Sequence, residues 1–284
     1  MPNADRALRL ALLGESHVGK SHYGGQLLLR LNTKRLALRM RGAATNTEAF
    51  EEVVRRMNAG VPGAHTASST YWDSVWPVVS AEGLAMDLTW PDYDGEQVRK
   101  LIEERRIPKE WQERVQSADG WILMLRPKLA IVDDDLLSRP LSHLRTEVSP
   151  EDKPRRSSQA RIVELLQMLL YARRVATGPQ WALPALVVML SCWDEIEGVA
   201  GKMPRDVLAD QLPMVASYLE TTWPSYRLSI VGVSALEHAL SADAPNEEFI
   251  NEGPDKFGYV VLANGAMSKD LTMPIAELAK MAAN

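Results

Sequence analysis

Residues 14–21, GESHVGKS, place two glycines five positions apart and follow the second with a lysine and a serine. Such glycines let a loop curl so that successive backbone N–H groups point at one anion. The ammonium group of Lys20 can reach terminal phosphates, and the hydroxyl of Ser21 can ligate Mg²⁺. The segment therefore predicts a phosphate-binding loop, in which His17 either donates to a phosphate or caps the turn. The loop residues that we expect to contact nucleotide are Gly14, Glu15, Ser16, His17, Val18, Gly19, Lys20 and Ser21.

A second acidic motif, PDYDGEQ, follows the apolar segment GLAMDLTW. Asp92, at the end of a strand, can hold Mg²⁺ through water, and the backbone N–H of Gly95 can meet a γ-phosphate. Glu96 or Gln97 would then position the attacking water. These residues would complete a triphosphate site around the first loop.

Two further strand ends carry residues suited to recognising a purine. In SCWDE, the carboxylate of Asp194 could accept hydrogen bonds from guanine N1–H and the exocyclic amine, which adenine cannot satisfy. In the later segment SAL, Ser234 and Ala235 are expected to bind the nucleotide, and the backbone N–H of Ala235 could meet guanine O6. These two segments predict that the base is guanine.

In chain order, GESHVGKS, a threonine-bearing loop, DYDGE, SCWD and SAL resemble the small GTPases of the Ras-like and translation-factor-related P-loop class, over about residues 8–240. More narrowly, DYDGE and SCWD look like bacterial double-GTPase-type proteins of conflict and defence loci. The resemblance implies a three-layer α/β P-loop fold, with GTP or GDP and Mg²⁺ as ligands. It implies that Ser21, Thr66 and Asp92 ligate the metal, and that the residues acting in hydrolysis are Lys20, Thr66, Glu96 and Gln97. Thr70 is the alternative to Thr66, although it is predicted to begin the next strand.

The sequence departs from this class at three positions. Ser191 stands for the usual asparagine or threonine of the base motif, and Cys192 for the lysine that would lie along the base and ribose. Weaker GTP binding, or coverage of the base by Trp193, is expected. Glu96 stands where many relatives have a glutamine that orients water, and an ionised carboxylate cannot donate a hydrogen bond. Slow hydrolysis follows.

The elements that must position these residues alternate along the chain. Strand-like apolar segments occur at 8–13, 35–41, 71–79, 84–90, 121–125, 185–190 and 228–233, and helical patterns at 21–31, 46–59, 95–117, 157–176 and 204–221. This order predicts a mainly parallel sheet with helices on both faces and ligands at the carboxyl ends of the strands. We expect one domain over 1–284, with insertions at about 32–60 and 127–156 and a C-terminal extension at about 241–284.

Composition limits the other classes of function. The net charge is −5, from 32 basic and 37 acidic residues, so a broad nucleic-acid surface is not expected. No long uncharged apolar segment predicts a membrane span. The single cysteine, Cys192, excludes a disulfide framework, and we expect a cytoplasmic protein.

Three functions remain open from sequence. The first is a Mg²⁺-dependent GTPase that acts as a switch for a protein effector and is activated by a partner or a second copy of the chain. The second is a pseudo-GTPase scaffold that holds nucleotide while segment 127–156 binds another protein. The third is a P-loop ATPase or kinase, for which no acceptor-substrate lid is evident.

Overall fold

The computed structural model describes residues 6–31, 36–63, 73–91, 95–129, 157–177 and 182–284. Thr66, Thr70, Asp92 and most of segment 127–156 lie outside these ranges. For Gly95, Glu96 and Gln97, the backbone is described but the side-chain environment is not. The predictions made for all of these residues therefore stay predictions.

Within the described residues, nine strands form one sheet in the order β2-β3-β4-β1-β5-β6-β7-β8-β9. The strands are β1 (Leu8–Leu13), β2 (Leu38–Met40), β3 (Asp73–Ser80), β4 (Ala85–Pro91), β5 (Gly120–Leu125), β6 (Ala185–Ser191), β7 (Leu228–Ser234), β8 (Tyr259–Val261) and β9 (Met267–Ser268). The five central strands, β4-β1-β5-β6-β7, run parallel. Outside them, β3 and β2 on one side and β8 and β9 on the other pair antiparallel. The predicted parallel strands thus form the centre of the sheet, where ligand-binding loops collect.

Helices cover both faces of the sheet, which confirms the three-layer α/β fold. They are α1 (Lys20–Arg30), α2 (Glu48–Asn58), α3 (Gly95–Glu104), α4 (Lys109–Ser117), α5 (Ser158–Thr177), α6 (Pro204–Gln211), α7 (Pro213–Thr222), α8 (Glu247–Glu252) and α9 (Met273–Ala283). Alternate residues of β1 divide between the layers, because successive strand side chains point to opposite faces. Leu10 and Leu12 join the core that contains α1 and α9, whereas Ala11 and Leu13 join the core that contains α3 to α7.

Two predicted helices are each divided in the structure. The predicted helix over 95–117 ends at Glu104, where Arg105 adopts a left-handed backbone with φ of 49° and Pro108 precedes α4. The predicted helix over 204–221 is broken between α6 and α7, where Pro213 begins the new helix. Proline has no N–H to continue a helix, and its ring clashes with the preceding turn.

The segment 241–284 packs directly against the helix that follows the phosphate loop. The Tyr23 hydroxyl donates to the Leu271 carbonyl at 2.7 Å, and Gln26 Nε2 donates to the Pro254 carbonyl at 2.9 Å. The buried guanidinium of Arg30 donates to the Asp255 carbonyl at 2.9 Å. Because α1 starts at the phosphate loop, these bonds fix the loop relative to the C-terminal part of the sheet.

None of the helices in the described ranges combines the length and the apolar character needed to cross a membrane.

Candidate functional site

The loop of residues 14–19 connects β1 to α1 at the carboxyl edge of the parallel strands. His17 and Gly19 have left-handed backbones, with φ of 63° and 84°. Gly14 lies so close to β5 that a Cβ there would come within 3.0 Å of the Met124 carbonyl. Lys20 Nζ donates to the carbonyls of Gly14 at 2.9 Å and Glu15 at 2.6 Å. The lysine ammonium therefore lies across the loop that is expected to hold phosphate.

A cavity of about 650 Å³ opens beside this loop and joins three of the predicted motifs. Its wall includes Lys20 and Ser21, Asp194, and Ala235. Of the predicted nucleotide-contacting residues, those lining the cavity are Ser16, His17, Val18, Gly19, Lys20, Ser21, Asp194 and Ala235. Segments more than two hundred positions apart in sequence thus face one space large enough for a nucleotide.

The segment after β6 presents its acidic side chain to this cavity. Ser191 is buried, and its hydroxyl donates to the Leu125 carbonyl at 3.0 Å, which ties the ends of β5 and β6 together. Cys192 then turns the chain in the left-handed region with φ of 51°. Asp194 follows on the exposed rim, where its carboxylate is open to a ligand. Burial raises the pKa of the Cys192 thiol to about 11.

The expectation that Trp193 covers the base is wrong. Its side chain is 3% exposed and belongs to the core that contains α3 to α7. A Cβ at position 232 on β7 would lie 2.4 Å from the indole, so Gly232 leaves the space that the ring fills. The aromatic side chain is therefore committed to packing.

The turn after β7 is shaped by hydrogen bonds of its own residues and of the C-terminal segment. Ser234 is buried outside the cavity wall, and its hydroxyl oxygen accepts from the backbone N–H of Glu237 at 2.9 Å. Glu237, with φ of 63°, accepts from the Gly258 N–H at 2.6 Å and from the Lys269 ammonium. This turn leaves Ala235 at the cavity wall.

Two predicted loop residues lie away from the cavity wall. Gly14 provides the close approach to β5 described above. Glu15 directs its carboxylate to the Arg161 guanidinium of α5, with an N–O distance of 3.2 Å. The structure thus gives both residues contacts that support the loop, and their predicted nucleotide contacts stay predictions.

Arg126, which the sequence analysis did not identify, lines the cavity between the phosphate loop and the SCWDE segment. Its guanidinium binds both carboxylate oxygens of Glu195, with distances from 2.6 to 3.0 Å. It also donates to the His17 carbonyl at 3.1 Å. The available signal was its position directly after β5, at the same edge of the sheet as the motifs.

His22 is a second residue that sequence reasoning missed. It is partly buried, and its Nε2 accepts from the backbone N–H of Gly63 at 2.9 Å. Burial, together with the charge of Arg126, lowers the pKa of His22 to about 4, so the imidazole is neutral and able to accept. Arg56 Nε donates to the adjacent Pro62 carbonyl at 2.7 Å. Both bonds hold the chain immediately before the segment that contains Thr66.

The donor set of the cavity fits a nucleotide phosphate chain better than a protein-ligated metal. The wall offers an ammonium group at Lys20, a hydroxyl at Ser21 and the backbone amides of a left-handed loop. Within the described ranges, no group of three or more histidine, cysteine, aspartate or glutamate side chains could hold a metal ion. Mg²⁺ normally keeps several waters and is bound through one or two side chains plus substrate phosphates. Of the three predicted Mg²⁺ ligands, Ser21 lies within the described residues and at the cavity wall, and its role as a ligand stays a prediction.

A lysine-bearing phosphate loop between the first strand and first helix, opposite an aspartate-bearing segment at the end of a parallel strand, defines a P-loop protein of the GTPase class. The family model for Double-GTPase 1 matches residues 11–278. The chain belongs to this family. Membership in a GTPase family supports guanine nucleotide as the ligand of this protein.

Among solved structures, the chain is similar to Methanosarcina barkeri Roco2 RocCORdC bound to GDP, with 12% identity and a TM-score of 0.35. The match covers 88% of this chain and 48% of that one, so the chain spans about half the length of this relative. A comparison with curated proteins gave no match.

Proposed function

We propose that this protein binds GTP and GDP with Mg²⁺, hydrolyses GTP slowly, and acts as a switch read by a protein partner. The observation that carries the proposal is that Lys20, Asp194 and Ala235 line one and the same cavity. The double-GTPase resemblance supports a place in a bacterial conflict or defence system, and the single cysteine supports a cytoplasmic location.

Each wall of the cavity has a distinct role in this proposal. Lys20 and the loop amides would neutralise the β- and γ-phosphates, while Ser21 would ligate Mg²⁺ with Thr66 and Asp92. The Gly95 N–H would meet the γ-phosphate, and Glu96 or Gln97 would position water. At the other end, the Asp194 carboxylate and the Ala235 N–H would recognise the two edges of guanine that adenine does not share.

The anchors at Pro62 and Gly63 support the switch part of the proposal. His22 and Arg56 fix these two residues to α1 and α2, at 2.9 Å and 2.7 Å. Thr66 follows only three residues later, so a contact of Thr66 with the γ-phosphate would be made from a fixed base. Loss of that phosphate would release the segment after the anchor and leave the anchor in place.

Base choice is expected to depend on Asp194. Hydrogen bonds to a charged group contribute about 1.5 to 3 kcal/mol each. Asp194 lies on an exposed rim, so the lower value applies to each of its two bonds, and Asp194→Ala should weaken GTP and GDP binding on the order of a hundredfold. ATP binding, which is expected to be weak already, should change little. Parallel titrations of GTP, GDP and ATP on the unmodified protein and the variant measure both effects.

Asp210→Ala is the matched control, because Asp210 is an exposed carboxylate of α6 that pairs with Lys202. It should bind all three nucleotides as the unmodified protein does. Equal affinity of the unmodified protein for GTP and ATP would replace the GTPase proposal with the ATPase alternative.

Magnesium is expected to matter more for GTP than for GDP, because the γ-phosphate would complete the shell formed by Ser21, Thr66 and Asp92. GTP with Mg²⁺ should protect segment 64–70 from protease more strongly than GDP or GTP with a chelator. Cleavage sites mapped by mass spectrometry provide the measurement. Equal protection in all conditions would remove the switch from the proposal while leaving nucleotide binding intact.

A further inference from the structure

Position 192 lacks the positive charge that the class usually supplies beside the base. Cys192 directly follows β6, and its side chain is partly buried. Burial raises the pKa of its thiol to about 11, so the side chain is neutral near pH 7. Residues 191–195, SCWDE, are the base segment, and this segment therefore supplies no cation from position 192.

A cation from a different strand lies beside it. Arg126 follows the last residue of β5, which is the neighbour of β6 in the sheet. Its guanidinium binds Glu195 of the base segment through two nitrogens and the His17 carbonyl of the phosphate loop through the third. All three residues line the cavity. One planar group thus connects the two segments that must hold opposite ends of a nucleotide.

We propose that Arg126 is a nucleotide-positioning residue that fixes the phosphate loop against the base segment. It supplies, from the end of β5, the cation that position 192 lacks. This inference rests on the proposed guanine-nucleotide function. The guanidinium suits the task because its rigid fork holds a carboxylate bidentately and leaves a further N–H for another acceptor. A lysine at position 126 would offer a point charge without that fork.

The contacts distinguish this role from that of an arginine acting on the transferred phosphate. Arg126 is held by Glu195 and by a backbone carbonyl of the loop, with its side chain 25% exposed. Its contribution is to the spacing of two protein segments, which GDP and GTP both require. Loss of Arg126 should therefore weaken the two nucleotides by the same factor.

Arg126→Met is expected to weaken GTP and GDP binding about 10- to 100-fold, as for the loss of a charge-assisted contact. The variant leaves the Glu195 carboxylate without this partner, so Arg126→Met is compared with Glu195→Gln and with the double variant. The double variant should keep the loss of affinity, because the connection to His17 is still missing. Arg126→Lys should fall between the unmodified protein and Arg126→Met, and it replaces Arg126→Met if thermal unfolding shows that the latter does not fold.

The sharpest test returns the cation to the base segment. Cys192→Lys in the Arg126→Met background should recover at least tenfold in GTP and GDP affinity, whereas Cys192→Met in the same background should recover none. If the side chain at position 192 contributed only packing, lysine and methionine would change the nucleotide affinity equally.

Three results would overturn the inference: unchanged nucleotide affinity in folded Arg126→Met, a loss confined to GTP, or equal recovery by lysine and methionine at position 192. Each leaves the proposed function standing, because the unmodified protein still binds guanine nucleotide. Absence of GTP and GDP binding by the unmodified protein would instead contradict the proposed function itself.

Discussion

Lys20→Ala is expected to weaken GTP binding by about 30- to 5000-fold, which corresponds to the 2 to 5 kcal/mol typical of truncating one partner of a buried charge pair. The ammonium lies across the phosphate loop, where it donates to the Gly14 and Glu15 carbonyls. A bound triphosphate would replace these carbonyls as the partner of the ammonium. In Lys20→Ala, the negative charge of the triphosphate would remain uncompensated in a partly desolvated cavity. GDP should lose less than GTP, since the lysine reaches the β- and γ-phosphates. Equilibrium titration with fluorescent GTP and GDP measures both losses.

Lys109→Ala is the matched control for this variant. Lys109 is 83% exposed on α4, with Glu113 as its ion-pair partner, and it lies outside the cavity wall. It should bind both nucleotides normally. Thermal unfolding of Lys20→Ala without ligand separates a binding defect from a folding defect. Unchanged GTP affinity in a folded Lys20→Ala protein would contradict the assignment of residues 14–21 as the phosphate site.

GTP hydrolysis by the isolated protein is expected to be slow, on the order of 10⁻³ s⁻¹ or below, as in class members without an arginine acting in cis. Glu96 stands where a water-orienting amide is usual, and it adds negative charge near the phosphates. The two arginines described beside the loop, Arg126 and Arg161, contact the carboxylates of Glu195 and Glu15. An arginine supplied in trans should raise the rate by about 10³- to 10⁵-fold. Single-turnover assays of the protein alone and with products of neighbouring genes measure the difference.

The dependence of this rate on protein concentration tests whether a second copy supplies the arginine. Three candidates follow from the sequence near the expected switch. Arg41 pairs with Asp87, and Arg56 holds the Pro62 carbonyl, so both have positions within their own chain. Arg55 is 73% exposed and pairs with Glu52 on the surface of its own helix, so it can be reached by a second copy, and we choose Arg55→Ala as the first variant.

Arg106→Ala, which removes another exposed arginine before α4, is the control for Arg55→Ala. A rate that rises with concentration and is lost only in Arg55→Ala would identify a homodimer contact. Fast turnover at all concentrations would contradict the interpretation of Glu96. Tight GTP binding without hydrolysis under any condition would favour the pseudo-GTPase scaffold.

The central architecture could be predicted from sequence because its signals are local. β1, the glycine loop and α1 follow one another within residues 8–30, and the buried apolar strands are separated by helical patterns. The two errors in the predicted helices arose at prolines. Pro108 and Pro213 divide helices whose apolar periodicity continues across them, and periodicity alone does not register the missing N–H.

The predicted motifs lie at one cavity because the strands that precede them are parallel neighbours. What sequence could not show is which other side chains enter the same space. Arg126 belongs to no motif, and its importance depends on the pairing of β5 with β6. Trp193 looked available to a ligand, whereas its burial depends on Gly232 of the adjacent strand. Such contacts are determined by the pairing of distant segments, which a single sequence does not state.

The bonds between α1 and the C-terminal segment also set the order in which the nucleotide site can mature during synthesis. The buried Arg30 guanidinium finds the Asp255 carbonyl only after more than two hundred further residues have been made, and the Tyr23 hydroxyl requires Leu271. Contacts of such large sequence separation form late, because the closure of a long loop costs entropy before the contact is gained. A nascent chain that ends before residue 254 therefore contains the complete phosphate-loop sequence without the partners that hold its helix. We therefore expect tight nucleotide binding only by chains that extend past Leu271, where both partners of α1 are present.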